Sequence, residues 1–215
     1  MNLTKLIGSF NFRKFGKASR TDFGVLKVAF MVAALDGEVT EAELRALDAL
    51  AKKCRGYTPK TAEKALDEAM RSAGYLMLFG RRAKDAALVE AFVREAQAAL
   101  PDGFAYFSVE DVRRAVVTWI AMGMSDGDYS KREKKCIEAL RKLFAELKIR
   151  RADLEAEKWT ALSPSFRMGC VPGGMRSTVE LVSRDFVTRV EGLVAQYGDS
   201  ADAAMALETL ISAES

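Results

Sequence analysis

Apolar residues recur three and four positions apart along almost the whole chain, the period of helices that bury one face. Residues 22 to 35 are apolar nearly all round (Phe23, Val25, Leu26, Val28, Phe30, Val32), with Lys27 the one interior charge. A helix without a polar face belongs at the centre of a fold. A second helix is predicted from about Thr40 to Lys53, turning Leu44, Leu47 and Leu50 inward. A third starts at Thr58-Pro59, proline being pre-organised for a first helical turn, and reads through Ala65, Ala69 and Met70 to about Ser72. Gly80-Arg81-Arg82 reads as a loop. Residues 84 to 100 form an amphipathic helix with Leu88, Phe92, Val93 and Ala96 inside, ended by Pro101-Asp102-Gly103. From Ser108 a further helix carries Val112, Val116, Val117, Trp119, Ile120 and Met124, and residues 131 to 147 turn Ile137, Leu140 and Phe144 to one side.

Two of these stretches match each other. Asp126-Gly127-Asp128-Tyr129-Ser130-Lys131-Arg132-Glu133 repeats the pattern of Asp36-Gly37-Glu38-Val39-Thr40-Glu41-Ala42-Glu43 at an offset of 126 − 36 = 90 residues. At the same offset Leu26 pairs with Val116, Phe30 with Ile120, Leu47 with Ile137 and Leu50 with Leu140, which reads as an internal duplication. In each copy glycine supplies the left-handed residue that ends one helix. The hydroxyl residue and the glutamate three positions later form a capping box for the next. Beyond about Leu154 nothing corresponds. Thr160 to Arg176, with Ser163-Pro164 and Pro172-Gly173-Gly174, reads as a loop. Residues 177 to 197 and a short helix from Asp199 or Ser200 form a C-terminal hairpin, packed on the repeat or docking on another chain. The expected organisation is an N-terminal arm over 1–20, a duplicated helical domain over 21–154 and an extension over 155–215. The fold class is all-α, two pseudo-repeats plus a helical extension.

Composition narrows the chemistry. With 215 residues, 49% of them hydrophobic, the chain can build a sizeable core without disulfides. Its 33 basic and 30 acidic residues are too balanced to imply nucleic acid as a partner. The absence of histidine removes Ser-His-Asp and Cys-His mechanisms and the commonest zinc ligand. Cys54, Cys136 and Cys170 are odd in number, have no CxxC spacing and suit a reducing cytoplasm. Cys136 lies among Lys131, Arg132, Lys134 and Lys135, which could activate a thiol, yet its helical register beside Ile137 and Leu140 favours an inert buried one. Met168 to Gly174 lacks the Lys-Ser/Thr of a phosphate loop. No long uncharged apolar run predicts a membrane span. Residues 1–20 carry Lys5, Arg13, Lys14, Lys17 and Arg20 and no acid, interleaved with Leu3, Leu6, Ile7, Phe10, Phe12 and Phe15. Such an arm either packs on the core or lies on an anionic membrane surface.

Capping does not account for the extra acids of the repeated turn. Asp36 and Asp126 sit at helix C-termini, where the helix dipole disfavours negative charge, and Glu38 and Asp128 add a second carboxylate to each. If the two turns share a face, Asp36, Glu38, Glu43, Asp126, Asp128 and Glu133 offer oxygen ligands to a hard cation, Ca²⁺ or Mg²⁺. An EF-hand does not fit: counted from Asp126, its sixth position is Lys131 and its twelfth Ile137.

The arrangement of apolar helix, D-G-x-[VY]-[ST]-x-x-E and second helix, present twice over residues 22 to 150, resembles the TerB-like tellurite-resistance family, to which the N-terminal region of the DjlA co-chaperone is also similar. The resemblance implies an all-helical domain of two pseudo-repeats and a place in a stress-response or tellurite-resistance system, often near membranes or in complexes. It also implies metal-binding acids at the positions of Asp36, Glu43, Asp126 and Glu133. The expectation is a non-enzymatic cytoplasmic module that binds a divalent cation or a protein partner through an acidic surface. A scaffold for oligomerisation or membrane apposition is the first alternative. A Mg²⁺-dependent phosphohydrolase is the second, and it lacks a basic group placed to hold phosphate.

Overall fold

A computed structural model describes residues 19–100, 109–143, 184–197 and 201–212 of the protein. All regular structure among them is helical: α1 (Ser19–Ala33), α2 (Glu41–Ala51), α3 (Pro59–Gly80), α4 (Asp85–Ala99), α5 (Val109–Gly123), α6 (131–143), α7 (Arg184–Tyr197) and α8 (Ala201–Ser212). The N-terminal arm, the loop from Thr160 to Arg176, Cys170 and Trp159 fall outside the described residues, apart from the start of α1. No described helix is long and apolar enough to cross a membrane.

α1 is the hub that its pattern predicts. Val25, Leu26, Val28, Ala29 and Val32 are fully buried, and the helix touches α2, α3, α4 and α5. Its neighbour α5 buries Val116, Val117, Trp119 and Ile120 completely, and the Trp119 indole N–H donates to the Val25 carbonyl at 3.1 Å. Asp22 and Asp111, near the starts of the two helices, act on one another electrostatically, and so do Asp36 and Asp126, just past their ends. The two helices therefore run side by side in the same direction. That placement carries both acidic turns to one end of the pair.

Three expectations are corrected. α3 continues to Gly80 and does not stop near Ser72. Gly74 weakens a helix by about 1 kcal/mol, but Ala62, Ala65, Ala69, Ala73, Leu76 and Gly80 form one unbroken buried stripe whose packing outweighs that cost. Leu44 is not inward but 50% exposed, because the buried stripe of α2 runs through Glu43, Ala46, Leu47 and Leu50 and leaves it about 100° to the side. Met70 lies outside the α3 stripe in the same way and is exposed.

The described part of the C-terminal extension is the helical pair α7 and α8, each of which packs on α5. Val190, Val194, Ala203, Leu207 and Ile211 supply the apolar contact. Two arginines fasten it. Arg114, wholly buried, pairs with Glu208, and Arg113 donates to the Ile211 carbonyl at 3.2 Å while lying 5.6 Å from the centre of the Phe186 ring.

Candidate functional site: paired acidic turns

The two turns are built by the same hydrogen bonds. In the first, Gly37 takes φ +104° and donates its N–H to the Ala34 carbonyl at 3.2 Å; in the second, Gly127 takes φ +95° and donates to Met124 at 3.2 Å. A residue with a Cβ is strained at such φ values, which fixes glycine at both positions. The Asp36 carboxylate accepts from the Glu38 N–H at 3.0 Å, and Asp126 from Asp128 at 2.9 Å. These contacts give the two aspartates a role beyond charge: each holds its own turn closed.

The capping boxes form as the spacing predicts. The Thr40 N–H donates to Glu43 Oε2 at 2.7 Å and the Glu43 N–H to Thr40 Oγ1 at 3.3 Å; Ser130 and Glu133 make the same pair at 2.7 and 3.2 Å. Glu43 and Glu133 are nevertheless 1% and 2% exposed, which is rare for an acid without a cation beside it. Burial, opposed by the cap hydrogen bonds, pushes the Glu43 carboxyl up to about 7 and that of Glu133 up to about 8. Asp36 and Asp126 add to both shifts by like-charge repulsion, and Asp36 is itself raised by burial and by Asp126. Of the six candidate acids, four thus act on one another across the two turns: Asp36, Glu43, Asp126 and Glu133. Glu38 acts on Asp36 within its own turn; Glu38, Asp128 and Asp36 are exposed, and Asp126 is half-buried.

No three acidic or thiol side chains among the described residues lie close enough together to form a ready cation cage. One oxygen of each aspartate accepts a hydrogen bond within its turn, and Oε2 of each glutamate accepts one within its cap. Oε1 of Glu43 and of Glu133 carries no hydrogen bond among the described residues, and these oxygens, with the second oxygens of Asp36 and Asp126, are what a cation would use. The donor set, all carboxylate, fits a hard divalent ion.

Neither described cysteine offers alternative chemistry. Cys54 and Cys136 are buried, and desolvation pushes both thiols up, Cys136 to about 12, so the lysines and arginines around it in sequence do not activate it.

Several residues that shape the site are silent in the sequence patterns. The Tyr129 ring lies so close to Gly123 that a Cβ there would sit 3.2 Å from it and 3.1 Å from Glu133 Oε1. The Tyr129 hydroxyl is buried, and burial together with Glu191 of α7 raises its pKa. At the far end of α1, Asp22 is fully buried and accepts from the Arg55 backbone N–H at 2.8 Å and from its guanidinium at 3.0 and 2.8 Å, anchoring the α2–α3 connection. A detectable signal existed for some of these: where the copies differ at the 90-residue offset, Ala33 faces Gly123 and Val39 faces Tyr129.

Residues 23–158 match the family described as Tellurite resistance protein TerB. No curated protein and no solved structure matches the chain. The matched segment is more than half of the sequence, begins inside α1 and contains both acidic turns. By that match, the chain belongs to the TerB tellurite resistance protein family.

Proposed function

We propose that the paired turns form a single acidic surface that binds a divalent cation, and that the protein is a non-enzymatic binding module of a stress-response or tellurite-resistance system. One observation carries the reading: carboxylates of the two turns repel across a sequence distance of about 90 residues, Asp126 raising Asp36 and Glu43, and Asp36 raising Glu133. Holding four such groups together costs free energy once they ionise, and a bound cation offsets that cost. Asp36, Glu43, Asp126 and Glu133 would hold it, and it would supply positive charge to offset their mutual repulsion. Calorimetric titration with Ca²⁺ and with Mg²⁺ tests this. Saturable binding that disappears in Asp36→Asn with Asp126→Asn supports the reading, and no binding in the wild type overturns it.

A second reading takes the same surface as a docking face for a basic segment of a protein partner. It is favoured by the commitment of carboxylate oxygens to turns and caps, which leaves charge on display without a closed cage. In that case the aspartate variants lose the partner while cation titrations stay flat.

A further inference from the structure

Away from the acidic turns, the end of α3 and the start of α4 enclose an apolar depression of about 540 Å³ lined by Tyr75, Leu78, Phe79, Arg82, Ala83 and Ala87. Leu78 is 68% exposed, the largest exposure among the big apolar side chains described. Its aromatic wall is held in place: the Tyr75 and Phe79 rings stack with centroids 5.6 Å apart, and Arg94 donates to the Tyr75 hydroxyl at 3.0 Å with its guanidinium 5.9 Å from the ring centre. A fixed, exposed aromatic and aliphatic surface has the character of a binding hot spot.

The rim decides what fits. Arg82 lines the depression, Arg94 bonds its Tyr75 wall, and Arg81 and Lys84 flank the lining residues in sequence; all four are exposed, Arg81, Arg82 and Lys84 make no ion pair among the described residues, and Arg94 lies 3.7 Å from Glu95. Of the two acids between Arg81 and Arg94, Asp85 is already held by Arg132 and Lys135 of α6, which leaves Glu90 against four cations. The chain's own arm has the wrong charge for such a rim, because residues 1–20 contain five basic residues and no acid. We infer that this depression is a docking site for an acidic amphipathic helix of a partner protein, which seats an apolar side chain against Leu78, Tyr75 and Phe79 and sets carboxylates opposite Arg81, Arg82, Lys84 and Arg94. The surface is separate from the acidic turns, so it stands or falls independently of cation binding.

The test uses the full chain and a fluorescent helical peptide with leucines at i, i+3, i+4 and i+7 and glutamates elsewhere, beside a twin with lysines for glutamates. The acidic peptide binds the wild type, weakens with added salt, and loses about tenfold or more in affinity with Leu78→Asp and with Arg81→Glu combined with Arg82→Glu. The lysine twin does not bind. Equal binding of both peptides, no binding of either, or binding untouched by the variants overturns the inference. So does binding of phosphatidylglycerol vesicles, in place of the acidic peptide, that the same variants abolish, which would make the site a membrane contact. Dimerisation lost in Leu78→Asp, in place of peptide binding, would assign the surface to a second copy.

Discussion

The first acidic turn and the second share a backbone and differ in what surrounds them. Around 36–43 the charges are settled locally: Glu41 pairs with Arg45 and Asp48 with Lys52, along α2 and its C-cap, and Leu44 is left half exposed. Around 126–133 they reach outward. Arg132 and Lys135 hold Asp85 of α4, Lys134 lies 4.9 Å from the Tyr129 ring centre, and Tyr129 faces Glu191 of α7. The second turn thus ties into α4 and α7, whereas the ion pairs beside the first stay along α2 and its C-cap. Hydrogen bonds of the turn and cap specify its shape, whereas the side chains between them specify its neighbours.

Substitutions can test that contrast, the largest effect first. Arg114 occupies the position that corresponds to Gly24 in the first half, and it is buried against Glu208. Arg114→Ala removes a fully buried side chain whose partner Glu208 is itself 34% exposed, and the lost packing and charged hydrogen bonds are expected to cost about 2–4 kcal/mol, seen in urea unfolding and as faster hydrogen exchange in α7 and α8. Loss confined to α1 and α2 would break the account of how the extension is held.

Next comes the position where the halves exchange alanine for glycine. Gly123→Ala forces its methyl against Tyr129 and Glu133 and should destabilise by about 1–3 kcal/mol. Ala33→Gly at the matching position costs about 1 kcal/mol, the ordinary helical penalty plus a lost methyl. Equal effects at the two positions would mean that Tyr129 is not packed as described.

The raised carboxyls give a pH dependence of known sign. Below about pH 4.5 Glu43 and Glu133 are protonated folded and unfolded, and contribute nothing. As pH rises towards 7 and 8, the unfolded chain gives up these protons first while the folded chain retains them, so stability falls through that window and levels off above it. Glu133→Gln preserves the cap geometry and removes the ionisation, so it should flatten this fall, and Glu43→Gln should do so less. Thermal unfolding between pH 5 and 9 reads both. A fall that survives in the double variant would locate the effect elsewhere.

The smallest effects belong to the caps themselves. Thr40→Ala and Ser130→Ala are each expected to cost about 1 kcal/mol by chemical denaturation. A marked inequality would show that the recurrent geometry does not carry the same energetic weight in both halves.

Much of this architecture was legible in the sequence because it rests on short-range rules. Gly37 and Gly127, the Thr40–Glu43 and Ser130–Glu133 caps, and the central α1 follow from local pattern, and the structure places each where that pattern puts it. The end of α3 was not legible, since the buried stripe through Ala73, Leu76 and Gly80 shows only once Leu88 is seen beside Gly80. Leu44 was misread because a leucine three residues before Leu47 fits a stripe that Glu43 in fact completes. Tyr129, Arg113 and Arg114 needed tertiary neighbours from α7 and α8, at sequence distances that periodicity does not reach. Their trace was the mismatch between copies: Phe23 against Arg113, Gly24 against Arg114 and Val39 against Tyr129. Each of these three residues meets a neighbour in α7 or α8.

Acids from the two turns form one electrostatic unit, and carboxyl-carbon NMR across a pH titration reads that coupling residue by residue. The account predicts Glu43 titrating near 7 and Glu133 near 8, with both moving down in Asp126→Asn although Glu43 belongs to the other turn. Ordinary titration of both glutamates near 4.5, or a Glu43 that ignores the loss of the Asp126 charge, would contradict it.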